Sequence, residues 1–224
     1  MESNVLGTEI LPTSFAQAAG RHGRFLARYM HAAQFAQGGR VIDIACGSGY
    51  GAAWLAQRAR STLGLDLDEQ MLDCARRTWS GPNLSFDRHD LHQPLPQQGL
   101  DLICCFETLE HVRDTSACVR NLAAALSPGG LAMISIPNGT KELEDPKERP
   151  YHQVHFSAEQ FREMITAGFG QVEFSSQVFR KTSGHYLRKV LGRKGHHAKF
   201  YRFVPGLLGE AKTWLAMARQ PKVK

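Results

Sequence analysis

Glu107, Glu110 and His111 stand at positions i, i+3 and i+4. If the stretch that carries them turns helically, all three face the same way. Two carboxylates and an imidazole on one face can hold a divalent cation, and His152, further along the chain, can complete the set. A hydroxyl is a poor nucleophile at neutral pH; Mg2+ or Mn2+ bound there would lower its pKa and orient it. Two other readings stay open. His111 can act alone as a metal-free general base. Alternatively, Glu110 pairs with a neighbour such as Arg113 while His111 packs.

A second constellation is the turn Val41-Ile42-Asp43-Ile44-Ala45-Cys46-Gly47-Ser48-Gly49-Tyr50-Gly51. Glycines there let the backbone approach a ligand that a Cβ would push away. Nucleotide and nicotinamide sites use the same device. Asp43 narrows the choice, because a carboxylate just before the turn would repel a pyrophosphate. It suits S-adenosylmethionine, which carries an ammonium, a sulfonium and no phosphate. Asp66 follows 17 residues past Gly49, where an acid accepts both ribose hydroxyls in dinucleotide-type sites. Asp90 is placed to accept from an adenine amino group, with Leu91 against the ring. Each acid singly reads as a surface residue; three of them, each after a successive strand, make a pattern.

The elements that must position these groups alternate. A helix is expected from about Ser14 to Phe35, with Phe25, Leu26, Tyr29, Met30 and Ala33 at helical spacing. Strands are expected at Arg40 to Ala45, Thr62 to Leu67, Leu84 to Phe86, Leu100 to Phe106, Leu131 to Ile136 and Val172 to Phe174. Helices are expected at Ala52 to Arg60, from Asp68 to Thr78, and from Asp114 until Pro128-Gly129-Gly130 stops it. Ser157 to Gln160 has the spacing of a capping box. Thr213 to Arg219 reads either as a last antiparallel strand or as a helix continuing from Leu207 and Leu208. Such alternation implies βαβ units and a mostly parallel sheet, with ligands beyond the carboxyl ends of the strands.

Across about Arg40 to Phe174 the sequence resembles the class I S-adenosylmethionine-dependent methyltransferase superfamily. VIDIACGSGYG, GLDLDEQML, FDRHDL, FETLEHV and LSPGGLAMISIPN carry the resemblance, in that order. Ala45 departs from it, standing where most members carry the first glycine of the loop. A bacterial branch from surface-glycan biosynthesis is similar in more detail. It has a helix ending in RY (Arg28-Tyr29 here), the ACGxGYG loop, FETxEHV, and a late PxHxxxFS (Pro150 to Ser157 here). Ubiquinone-pathway O-methyltransferases and small-RNA 2′-O-methyltransferases share ExxEH followed later by a histidine, and some are metal-dependent.

The resemblance implies a Rossmann-like, doubly wound, mostly parallel seven-stranded α/β sheet with helices on both faces. It implies S-adenosylmethionine held by Tyr29, Asp43, Ala45, Gly47, Gly49, Asp66, Leu67, Asp90, Leu91 and Phe106. It implies Glu107, Glu110, His111 and His152 as catalytic or metal-holding groups. The expected activity is O-methylation of a sugar hydroxyl in a surface-glycan or lipid-linked precursor. The alternatives are a phenolic or quinone-like acceptor, an RNA ribose, or a non-catalytic S-adenosylmethionine-binding subunit.

The 224 residues suit one core, read as an N-terminal helical segment (1–38), a cofactor-binding core (39–177) and a basic C-terminal segment (178–224). From Val178 to Lys224 there are 12 Lys and Arg against one acid, Glu210, on a body of net charge −5. Between Arg180 and Tyr201 basic residues alternate with aromatics. The mix suits an anionic or glycan acceptor or an anionic membrane surface, less readily a nucleic acid, and a solubilising face is the plain alternative. Asn138 to Pro150 reads as a charged loop walling the acceptor. The five cysteines form no CxxC pair, so reduced thiols are expected. With no secretory signal or membrane-length apolar run, the expected location is cytoplasmic, peripheral to the membrane at most.

Overall fold

The computed structural model describes residues 5–6, 9–10, 12–139, 152–180 and 198–222. Strands β1 (Val5–Leu6) and β2 (Glu9–Ile10) form a small antiparallel hairpin. Helix α1 (Phe15–Arg21) is capped by the Ser14 side chain, which accepts from the Gln17 amide, and α2 (Gly23–Ala32) follows. The single helix expected over Ser14 to Phe35 is therefore two. The break falls at His22, between Gly20 and Gly23, residues that weaken a helix by roughly 1 kcal/mol each.

The remaining elements are β3 (Arg40–Ile44), α3 (Tyr50–Ala56), β4 (Ser61–Asp66), α4 (Glu69–Thr78), β5 (Leu84–Arg88) and β6 (Leu100–Phe106). A 3-10 turn (Leu109–His111), α5 (Thr115–Ala125), β7 (Leu126–Pro137), α6 (Ala158–Gly168) and β8 (Phe169–Phe179) come next. The chain closes through a second 3-10 turn (Ala198–Phe200), β9 (Tyr201–Pro205) and β10 (Thr213–Pro221). Local chemistry sets several starts. Asp68 accepts from the Gln70 and Met71 amides, Asp114 accepts from the Ala117 amide, and Ser157 with Gln160 forms the expected capping box. Pro128-Gly129-Gly130 does not end α5; the helix stops at Ala125 and these residues run inside β7, beside a register irregularity at Leu100/Leu102.

The main sheet has the order β5-β4-β3-β6-β7-β10-β8-β9. β5 through β7 are parallel, and β10 lies antiparallel between β7 and β8. Thr213 to Arg219 is thus a strand. The sheet has eight strands where seven were expected, because β9 adds an antiparallel edge beside β8. Tyr201 and Phe203, two apart, both pack into the cluster formed with α2, and Phe203 stacks on His31 at 4.6 Å.

The core lies on both faces. Leu26, Ala32, Leu55, Leu102 and Met133 pack together on the side of α2 and α3; Ile103, Leu122, Ile134, Phe161 and Ile165 pack under α5 and α6. All five cysteines are buried and free. Among the described residues, no helix is long and apolar enough to cross a membrane.

Candidate functional site

The strand order reverses between β3 and β6, so the crevice beyond their carboxyl ends is where a ligand can enter. The turn after β3 lies there. Ala45, Gly47 and Gly49 all have positive φ, at 54°, 52° and 78°. Ala45 thus adopts the left-handed backbone of the glycine it replaces. A Cβ on Gly49 would lie 2.7 Å from the Ala75 Cβ, and one on Gly51 would collide with the Tyr29 ring.

Tyr29 and Asp43 meet beneath this turn. The Tyr29 hydroxyl donates to Asp43 Oδ1 at 3.1 Å, and Asp43 is fully buried. Burial pushes the Asp43 carboxyl up to about 8, against the lowering effect of the Tyr29 hydrogen bond. Both residues brace the turn from behind. Asp66, at the end of β4, accepts from the Gly47 amide at 2.7 Å and from the Asp68 amide at 3.0 Å. Leu67 beside it is 54% exposed. Asp90 accepts from the His92 amide and pairs with its ring at 2.8 Å, which holds its carboxyl below the usual range. Leu91 and Phe106 are buried, with the Phe106 ring edge-on to Tyr29 at 5.1 Å.

The residues after β6 divide into two groups. Glu107 was expected to share a helical face with Glu110 and His111, and it does not. Its φ of 51° reverses the backbone before the 3-10 turn begins, so the i, i+3, i+4 geometry never forms. Its carboxylate instead pairs with Arg28 Nη1 at 3.1 Å and accepts from Ser135 Oγ at 3.2 Å. Arg28 Nη1 also lies 3.4 Å from Gln177 Oε1. Arg28 Nε and Nη2 and Glu107 Oε2 are buried with no hydrogen-bond partner. Buried polar atoms are rarely left so, and together these offer donors for a carboxylate and an acceptor for an ammonium.

Glu110, His111 and His152 form the second group. One ligand-capable atom from each lies within 4.8 Å of the others, and no other such cluster exists among the described residues. The His111 and His152 rings stand edge to face at 4.6 Å. Backbone bonds bring His152 there: the Gln153 and Val154 amides donate to the Glu110 carbonyl at 2.8 and 3.2 Å.

Sequence reasoning missed Arg28, Ser135 and Gln177 as site residues. Arg28 carried a signal as half of the RY pair; Ser135 and Gln177 carried none. Residues 140–150 of the expected acceptor loop lie outside the described residues, as do Tyr186, Arg188, Lys189, Arg193 and Lys194.

Comparison with known proteins gives a consistent answer. The methyltransferase-domain family matches residues 16–181. A probable S-adenosylmethionine-dependent methyltransferase of Mycolicibacterium smegmatis is 32% identical over 155 residues, 67% of this chain and 59% of the relative. The ubiquinone biosynthesis O-methyltransferase of Idiomarina loihiensis is 36% identical over 105 residues, 45% of this chain and 43% of the relative. The chain spans about half the length of the curated relatives it matches. Among solved structures, an S-adenosylmethionine-dependent methyltransferase of Mesorhizobium loti superposes with a TM-score of 0.64 at 20% identity, covering 88% of this chain and 98% of that one. The magnesium protoporphyrin IX methyltransferase of Synechocystis PCC 6803, solved with bound SAH, gives 0.60 at 18%, covering 96% and 90%. At these identities the likeness is one of fold.

Proposed function

Because the chain belongs to the methyltransferase-domain family, we propose that it is a class I S-adenosylmethionine-dependent enzyme that methylates a hydroxyl, that of a sugar in a surface-glycan or lipid-linked precursor. The observation that carries O-methylation is the meeting of Glu110, His111 and His152 within 4.8 Å, because cofactor binding alone does not require that cluster.

The cofactor's fit rests on the buried atoms left without partners. Arg28 Nε and Nη2 would take its carboxylate and Glu107 Oε2 its ammonium. Asp66 would accept from the ribose hydroxyls, Asp90 from the adenine, and exposed Leu67 would cover the ring. Bound S-adenosylmethionine supplies an electrophilic methyl group. What the protein contributes is alignment of the acceptor hydroxyl and a place for its proton. His111 can take that proton directly. In the alternative we favour, Glu110, His111 and His152 would hold Mg2+ or Mn2+, which would acidify the hydroxyl. Two imidazoles with one carboxylate suit Mn2+ better than Mg2+.

A phenolic or quinone-like acceptor is the second reading, favoured by the similarity to the Idiomarina loihiensis enzyme. The reading also places the chain in the cytoplasm, with its basic C-terminal segment toward an anionic acceptor or the membrane surface. The test is methyl transfer from labelled S-adenosylmethionine to extracted glycan, quinone and RNA fractions, with and without EDTA. Label in the glycan fraction supports the sugar reading. Label confined to quinone or RNA moves the acceptor, and none with S-adenosylhomocysteine still bound would favour a non-catalytic subunit.

A further inference from the structure

A cavity of about 630 Å3 opens between the start of α2, the end of β8 and the loop from β9 to β10. Its size falls within the roughly 300–1,000 Å3 of small-molecule sites. It adjoins the site described above. Gln177 lines it, and Gln177 Oε1 faces the same Arg28 nitrogen that pairs with Glu107. Asn138, at the end of β7, fixes the opposite wall by donating to the Gly209 and Ala211 carbonyls at 2.9 Å each.

The lining is aromatic and cationic. Phe179 and Tyr201 stand edge to face at 5.3 Å. Phe25 carries two guanidinium groups, Arg24 and Arg28, with their centres 4.8 and 4.9 Å from its ring centroid. Such contacts fix a cation's position before a ligand arrives. Lys212 adds an ammonium, and Glu210 is the one carboxylate among the described lining residues. Arg24 and Arg28 also bear on the Tyr201 hydroxyl, opposing the upward push of burial on it. Among the described lining residues, Arg24 and Lys212 bring two cationic groups to the same cavity as the Glu210 carboxylate.

We propose that this cavity binds the acidic end of a sugar acceptor, the ring lying along Phe179 and Tyr201 and the acid held by Arg24 and Lys212. Sugars present C–H faces to aromatic rings and hydroxyls to carboxylates, which gives Glu210 a role as acceptor for a ring hydroxyl. Phosphate and carboxylate are both served by a guanidinium fork beside an ammonium. The inference rests on the methyl-transfer reading for the word acceptor; the cavity's chemistry stands by itself.

The experiment is an NMR titration of the full chain, saturated with S-adenosylhomocysteine, using glucose 1-phosphate, glucuronate, uncharged glucose and inorganic phosphate. Both sugar acids should bind at least about tenfold more tightly than glucose, and the stronger of the two identifies the acid. Glucose 1-phosphate should exceed inorganic phosphate, because the rings contribute. Lys212→Gln and Arg24→Gln should each weaken both sugar acids several-fold and leave S-adenosylhomocysteine affinity unchanged. Lys212 is exposed, so its variant keeps the test open if the Arg24 variant misfolds. Glucose binding as tightly as the acids, inorganic phosphate binding as tightly as glucose 1-phosphate, or unchanged affinity in Lys212→Gln would each overturn the proposal. A parallel titration of S-adenosylhomocysteine alone judges the methyltransferase reading separately.

Discussion

Arg28 on α2 and Glu107 after β6 form an ion pair at 3.1 Å, with side chains 0% and 11% exposed. The pair joins a helix that precedes the sheet to the carboxyl end of a central strand. Breaking a buried pair by removing one partner typically costs about 3–5 kcal/mol, because the other charge stays buried. Glu107→Gln should therefore lower stability by roughly that amount and weaken S-adenosylhomocysteine binding. The double variant Arg28→Met/Glu107→Leu should recover part of the stability and none of the binding. Denaturant melts and calorimetry check both; parental affinity in the double variant would take the pair out of the cofactor site.

Asp43 predicts a pH dependence. Its carboxyl is raised to about 8 in the folded chain and titrates near 3.9 when unfolded. An acid raised on folding contributes stability that is full below the unfolded value and lost as pH rises through the folded one. Stability from this group should thus decline from about pH 4 to about pH 8 and level off above. Asp43→Asn keeps an acceptor for Tyr29 and lacks that decline. The stability difference between Asp43→Asn and the parent should shift in the variant's favour across that window; a constant difference would show that Asp43 stays ionised.

Ala45 is strained. A residue with a Cβ in the left-handed region costs about 1–2 kcal/mol, and Ala45 sits there at φ 54°. Ala45→Gly relieves this and loses part of the gain to the freer unfolded chain. The expected net is stabilisation by up to about 1 kcal/mol, with Ala45→Val clearly destabilising. Chemical denaturation of the two variants tests it.

The division after β6 makes a further prediction. His152→Ala and Glu110→Gln should abolish methyl transfer and retain S-adenosylhomocysteine affinity, whereas Glu107→Gln should lose affinity. If a cation is held, EDTA stops turnover and Mn2+ restores it. Should EDTA have no effect, and His111→Ala prove far worse than His152→Ala, His111 is the metal-free base.

Much of the architecture was legible because it is encoded locally. Asp68, Asp114 and Ser157 with Gln160 cap helices through hydrogen bonds two to three residues long in sequence, so their spacing suffices. The apolar run Leu100–Phe106 is a buried strand because few other conformations hide so continuous a surface. The order of the glycine turn, Asp66 and Asp90 after successive strands likewise needs no tertiary knowledge. β9 was overlooked although Tyr201 and Phe203 alternate ahead of Pro205-Gly206; its basic surroundings masked a two-residue period that the edge of β8 makes useful. Other features depend on residues far apart in the chain. Arg28 reaches Glu107 and Gln177 only because α2 packs across the ends of β6 and β8. His152 reaches Glu110 and His111 because two amides beyond it bond to the Glu110 carbonyl. Helical spacing placed Glu107 with Glu110 and His111, but that rule presumes helical φ throughout, and one left-handed residue turned the carboxylate to a cation 79 positions earlier. The sequence determined which groups are present and the strands that carry them; the packing decided which of those groups meet.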